Sequence, residues 1–504
     1  MSLSEHLNYI KAHTIRMNAF RYAQNIMSWD SAAGGAPKAG IEKKSQYAGI
    51  LAGESFKLLT EEKFMKAVAE AYKEMSNIDS IEDQAMVREW YRSIERMTKI
   101  PETEYTAFVE LCSKSEIIWE EAKEKSDFNM FLPYYTEIFE YLKKFAEYYG
   151  YEKHPYDALL EDFEPGMTVD ELDKFFSELR AEIVPLLKEI EMAKSKQAFD
   201  ESFLNRYVPI EAQEKLGDKI LKTIGFDLDR GMVAESEHPF TNGVSFNDVR
   251  ITTNYDEHYF TSSMYSLAHE GGHGIYEQNQ TEALEDRGLR DGASAGIHES
   301  QSRMYENMFC RNENFWKFMY PQLNELLEGI FNDITELDFI RGINQVKASL
   351  IRVEADELTY PLHVMVRYEI EKDIMTGKIA IENLPEIWNQ KMEDYLGIKP
   401  SNDAEGVLQD VHWAAGLFGY FPSYALGNAF AAHFVHYMKQ SFDVEGDLTK
   451  GDFTRINQWL KEKIHQHGKT YLPMELIEKA TGEPFNPKYY TAYLKEKYSK
   501  IYNL

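Results

Sequence analysis

The chain has 504 residues, 43% of them hydrophobic, and carries 55 basic against 84 acidic residues for a formal net charge of −29. That is ample apolar material for a large buried core. A surface of this sign repels nucleic acid and anionic lipid, and with only Cys112 and Cys310 present, a reducing compartment is expected rather than a disulfide framework.

From the amino terminus, Leu7–Trp29 reads as a helix ended by Asp30 and the Gly34-Gly35-Ala36-Pro37 breaker. The first twenty residues alternate polar and apolar types, so neither a secretory signal nor a membrane anchor is expected. No stretch approaches the length of a spanning helix, and the expected location is the cytosol. Pro101, with Glu102 and Glu104 behind it, marks a helix start. Thr168 and Glu171 have capping-box spacing, and Leu172, Phe175, Phe176, Leu179 and Ile183 then recur on one helical face. Pro185 predicts a kink or a stop in that helix. With no fixed-period repeat and no Pro/Ser-rich linker, residues 1–504 read as a single mainly α-helical unit. Only Val244–Tyr255 departs, its β-branched and aromatic residues predicting a strand with Asp248, Arg250 and Thr252 on one face and Val249, Ile251 and Thr253 on the other.

Directly after that strand comes His269-Glu270-Gly271-Gly272-His273. Residues four apart share a helix face, so both imidazoles can reach one metal ion while Glu270 holds the water that attacks. Gly271, Gly272 and Gly274 each cost a helix about 1 kcal/mol relative to alanine, so close approach of a substrate or a neighbouring element is expected there. A catalytic zinc needs a third protein ligand and an open position. In the helix-like run Ile297–Glu306, Glu299 is the natural third ligand and His298 its competitor. Glu306 and Asp356 are candidates to support the ligating histidines from behind.

Six separated motifs follow in order: His238-Pro239-Phe240; Asp248-Val-Arg250-Ile-Thr252; the HExxH at 269–273; His298-Glu299-Ser300-Gln301; Ile351-Arg352-Val-Glu-Ala355-Asp356; and Gly406-Val-Leu-Gln409-Asp410-Val-His412-Trp413. With these the chain resembles the M32 family of metallocarboxypeptidases. The first 230 residues or so contribute no motif. The resemblance implies a fold like that of the neurolysin and angiotensin-converting-enzyme relatives, two mainly helical lobes around a deep groove with zinc at its floor. It implies Glu299 as the third zinc ligand, one ion per chain with cobalt as the alternative, a homodimer, and broad-specificity release of residues from peptide carboxyl termini.

Within that frame Arg352 is expected to grip the substrate carboxylate from a helix, the duller alternative being an ion pair with Asp356 four residues on. His238 is placed in a substrate-gating loop, while Asp248 and Arg250 read as a structural ion pair. Asp410 can orient His412, and His412 or Tyr420 is expected to hold the oxyanion, with Tyr424 as the substitute for Tyr420. His433/His436 and His465/His467 read as core or surface residues. The expected chemistry is hydrolysis by a metal-activated water with Glu270 as general base. An oligopeptidase of the same architecture is the nearer alternative, and a non-catalytic metal-stabilised binding protein the farther one.

Overall fold

Ser2 starts the first helix: its hydroxyl accepts the Glu5 amide while Glu5 accepts the Ser2 amide, and α1 runs Leu3–Ala32. The computed structural model describes residues 1–196 and 199–504. The elements that bear on the site are, after α1, the helices α2 (Ile41–Leu59), α3 (Glu102–Lys125), α4 (Val169–Lys194) and α5 (Ile210–Ile224). Strands β1 (Gly231–Glu235), β2 (Thr241–Ser245) and β3 (Asp248–Thr253) follow. Then come α6 (Phe260–Gln278), α7 (Ala295–Arg303) with a π-helical turn over Met304–Phe309, α8 (Tyr360–Met375) and α9 (Phe421–Ser441). The architecture is mainly α-helical with one small sheet, as expected.

The expected capping box opens α4, with Thr168 accepting the Glu171 amide, and its apolar stripe is buried. Pro185 does not stop this helix, which continues to Lys194. Leu186, Leu187 and Ile190 are buried beyond the proline, and their packing outweighs the lost backbone bond. The single strand expected over 244–255 is a hairpin turned at Phe246-Asn247. β3 lies in the middle of the sheet, antiparallel to β2 and parallel to β1. Val249, Ile251 and Thr253 are fully buried on one face, and Thr253 shares a 2.6 Å hydroxyl–hydroxyl bond with Ser266 of α6. On the other face Asp248 and Arg250 form a two-pronged pair at 2.7 Å. The guanidinium of Arg250 lies over Trp29 of α1, whose ring also meets Phe240 edge-on.

The glycines of α6 each admit a different neighbour. A Cβ on Gly271 would stand 2.8 Å from Ile224 of α5, and one on Gly274 2.5 Å from the Phe226 ring. On Gly272 it would lie 2.8 Å from the Gln301 carbonyl and 2.9 Å from the Ser302 Cα, which are backbone atoms of α7. Across α7, Gly427 of α9 leaves room for Glu299, whose Cγ a Cβ would meet at 2.6 Å. Thus α7 is pressed between α6 and α9, its backbone against Gly272 on one side and the Glu299 side chain against Gly427 on the other.

The start of α7 is held by Ser294, which accepts the Ile297 amide, and by Glu164, which accepts the Gly296 amide at 2.5 Å and the Ser423 hydroxyl of α9 at 2.6 Å. Burial pushes the Glu164 carboxyl up to about 7, the hydrogen bonds it accepts offsetting only part of that cost.

Three outcomes follow. Gly272→Ala gains helix propensity but drives a methyl into the α7 backbone, and should lower unfolding stability by roughly 1–3 kcal/mol. Gly53→Ala, on an exposed turn of α2 with no atom within 4 Å of the added carbon, should raise it by about 0.5–1 kcal/mol. Because the folded state raises the Glu164 pKa, its contribution is complete below the unfolded value of 4.5 and is lost as pH rises through about 7. Glu164→Gln should therefore lose less stability than the parent across that window, the difference in urea unfolding reaching at most about 3 kcal/mol.

Candidate metal centre

His269 and His273 stand one turn apart on the face of α6 that meets α7. Their Nε2 atoms lie 3.8 and 3.5 Å from Glu299 Oε2, and the three donors are all within 4.8 Å of one another. A tetrahedral ion about 2.0–2.2 Å from each donor needs separations of about 3.4 Å, so the trio fits such an ion with a small inward movement.

The opposite ring atoms show why Nε2 is left for a metal. Nδ1 of His269 donates to Glu306 Oε2 at 2.9 Å. Nδ1 of His273 lies 2.6 Å from Nδ1 of His298, whose Nε2 lies 2.9 Å from Glu277 Oε1. A carboxylate can only accept, so His298 donates through Nε2, and in the neutral ring its Nδ1 then accepts the His273 proton. Both nitrogens of the competing ligand His298 are thereby taken. Glu306 occupies one of the two supporting positions expected from the sequence. Asp356 does not: it accepts the Lys347, Leu358 and Thr359 amides and the Thr359 hydroxyl, and holds the backbone before α8. Glu277, Asp291 and His298 also come within 4.8 Å of one another. There Glu277 already meets Arg290 at 2.9 Å and Asp291 meets Lys469 at 2.6 Å, so the group is charge-compensated without an ion.

Burial alone would raise the Glu299 carboxyl. Arg303, His269 and His273 override it and hold the group far below the usual range. Burial holds His273 down at about 3, the neutral form a metal requires. Glu270 is 6% exposed, and burial raises its pKa against the opposing pull of His269 and of Thr241, whose hydroxyl donates to Oε2 at 2.6 Å. Thr241 is the first residue of β2, so the sheet reaches the carboxylate beside the first histidine.

A second cluster gathers residues from the late motifs. The helix expected around Arg352 is a single 3₁₀ turn, Arg352–Glu354, and Arg352 does not pair with Asp356. It donates to Asp410 through Nε at 3.1 Å and Nη2 at 2.8 Å, and to the Tyr360 hydroxyl through Nη1 at 2.9 Å. Arg367 of α8 takes the other Asp410 oxygen at 2.7 Å. Asp410 thus serves two guanidinium groups and does not orient His412. Instead His412 Nε2 meets the Tyr424 hydroxyl at 3.2 Å, its Nδ1 is buried with no partner among the described residues, and burial lowers its pKa to about 4. Tyr420 packs edge-on against Tyr424 and near His412. His238 is exposed in the turn between β1 and β2, where its carbonyl accepts from Ser236.

Sequence reasoning passed over Thr241, Arg303, Tyr360 and Arg367. Arg303 carried a signal, standing four residues after Glu299 and three before Glu306 on one helical stripe. Arg367 carried none, because its partner lies 43 residues away.

The family model described as Carboxypeptidase Taq (M32) metallopeptidase matches residues 9–498. Carboxypeptidase 1 of Bacillus subtilis is 46% identical over 490 residues, 97% of each chain. Thermostable carboxypeptidase 1 of Pyrococcus furiosus is 37% identical over 497 residues, 98% of this chain and 99% of that one. Among solved structures, the M32 carboxypeptidase of Deinococcus radiodurans R1 superposes with a TM-score of 0.95 at 33% identity, over 99% of this chain and all of the other. Matched in this way along nearly its whole length, the chain belongs to the M32 family of metallocarboxypeptidases, hydrolases that act on peptide bonds.

Proposed function

We propose that the working ion is zinc, one per chain, held by His269, His273 and Glu299, and that the enzyme releases single residues stepwise from free carboxyl termini with broad side-chain tolerance. Cobalt suits the same ligands. The carrying observation is the convergence of two Nε2 atoms and one carboxylate oxygen, with each histidine's other nitrogen engaged elsewhere. A cytosolic homodimer, its single peptidase domain forming two lobes about the groove, completes the reading. Its support is family membership, the acidic surface and the fact that no helix among the described residues is long and apolar enough to cross a membrane.

When bound, the ion supplies Lewis acidity to the water and to the scissile carbonyl. Glu270, with its affinity for protons increased by burial and its carboxylate aimed by Thr241, takes the proton of the attacking water and returns it to the leaving amine. His412 is neutral near pH 7 and shares a hydrogen bond with Tyr424, whose ring packs edge-on against Tyr420. Beside that pair, the Tyr420 hydroxyl is the group proposed to donate to the developing oxyanion. Arg352 and Arg367 share one carboxylate, so the cluster keeps an uncompensated positive charge. Three of Arg352's five N–H groups are committed, and one remains on each terminal nitrogen for a peptide carboxylate. His238 would border the groove from its loop.

Metal analysis and turnover separate the roles. Glu299→Ala should lose the ion on dialysis against a chelator. Glu270→Gln should keep it while kcat falls by about 10²–10⁴-fold; a metal-loaded Glu270→Gln protein of near-normal activity would eliminate this chemistry.

Mass spectrometry of digests tests the direction of attack. Amidating the substrate carboxyl terminus should sharply reduce cleavage and acetylating the amino terminus should not. Arg352→Lys should impair turnover without metal loss. Equal cleavage of amidated peptides at internal bonds would establish an oligopeptidase instead.

A further inference from the structure

Arg303 sits between two carboxylates that have different tasks. Its Nε donates to Glu299 Oε1 at 2.7 Å, and its Nη1 donates to Glu306 Oε2 at 3.2 Å, the same oxygen that accepts the His269 proton. The other Glu299 oxygen, Oε2, is the one facing the two Nε2 atoms, with a side contact from the Ser302 hydroxyl at 3.2 Å. The guanidinium plane is itself fixed: it lies 4.5 Å from the centre of the Tyr360 ring, and the Tyr360 hydroxyl accepts from Arg352. The Arg303 side chain is only 17% exposed, so water replaces few of these contacts.

We infer that Arg303 is a positioning residue that reserves one oxygen of Glu299 for the metal and withholds the other. The inference rests on the ligand set proposed above. A carboxylate with both oxygens free can close on a divalent ion through both, and the second oxygen then fills the position that water or substrate needs. A guanidinium on Oε1 makes that closure cost a charge-assisted hydrogen bond in a buried site. By bridging to Glu306 the same group also draws charge from the carboxylate behind His269, so neither ligand becomes as strong a donor as it would be alone. Tyr360, stacked on Arg303 and bonded to Arg352, connects this restraint to the residues proposed to receive the substrate carboxylate.

This assigns Arg303 a consequence opposite to that of a scaffold. Removing a cation and releasing a ligand oxygen should leave the ion held as tightly as before, or more tightly, while the enzyme slows. The test uses the full-length protein loaded with Co²⁺, comparing parent, Arg303→Met and Arg303→Lys. The readouts are the visible absorption of the ion, its retention against a competing chelator, and kcat. Four-coordinate Co²⁺ absorbs more strongly than five- or six-coordinate Co²⁺, so a second oxygen joining the metal weakens the band.

For Arg303→Met, the expected result is a weakened band, undiminished retention and a kcat lower by about 10–100-fold, the range for residues that orient metal ligands. Arg303→Lys, which keeps the charge but cannot engage both carboxylates in the same way, should be intermediate in band and rate, and it decides the matter if the Met variant fails to fold. An unchanged band alongside reduced kcat overturns the inference, as does loss of the ion in parallel with activity. Failure of the parent itself to bind Co²⁺, or retention of the ion by Glu299→Ala, would instead refute the ligand set.

Discussion

Two imidazoles on one helix and a carboxylate on another must bring their donor atoms within 4 Å. Packed helices ordinarily keep their axes about 8–10 Å apart. A short carboxylate side chain bridges that gap only if nothing else occupies it. Gly272 removes the obstacle on the α6 side, where its hydrogen faces the Gln301 carbonyl and the Ser302 Cα. Gly427 removes it from behind, where α9 would otherwise push on Glu299 itself. The helix-destabilising residues in α6 are thus the condition for the ligands to converge. The penalty they carry is offset by burial of almost every residue of that helix.

Close approach creates a second problem, because it takes charges away from water. Glu270, Glu277, Glu299 and Glu306 all lie in or beside α6 and α7 with little exposure. Their compensation differs. Glu299 and Glu306 share Arg303, Glu277 has Arg290, and Glu270 has only a hydroxyl and the neighbouring His269. The carboxylate with the weakest compensation is the one proposed to move protons, and those with guanidinium partners are the ones required to stay charged. This is the pattern expected when environment, not residue type, separates a base from a ligand.

The candidate donors His269 and His273 were legible because helical periodicity converts a four-residue spacing into a shared face, and the capping box at Thr168 because its hydrogen bonds are local. Glu306 was readable for the same reason. What could not be read depends on contacts between distant segments. Asp410 and Arg367 are separated by 43 residues, and nothing near Asp410 indicates that two arginines will claim it ahead of His412. Asp356 was one of two carboxylates that could stand behind a ligating histidine, and nothing local shows that its oxygens collect three backbone amides instead. Pro185 shows the limit of local rules in the other direction, since packing beyond it carries the helix onward.

The period of β2 adds a constraint on motion. Thr241 touches Glu270, and two residues along, the Gly243 carbonyl accepts from Arg290, which backs Glu277, His298 and His273 in succession. One short ribbon thus meets both the proposed base, through the Thr241 side chain, and the far end of the chain of bonds behind His273, through the Gly243 carbonyl. A slip of one residue in its pairing with β3 would move Thr241 off Glu270 and shift the carbonyl that Arg290 meets, disturbing both connections together. The proposed base Glu270 and the candidate ligand His273 therefore share a common mechanical reference, and a displacement of the sheet would carry the two in step instead of spoiling their relative alignment.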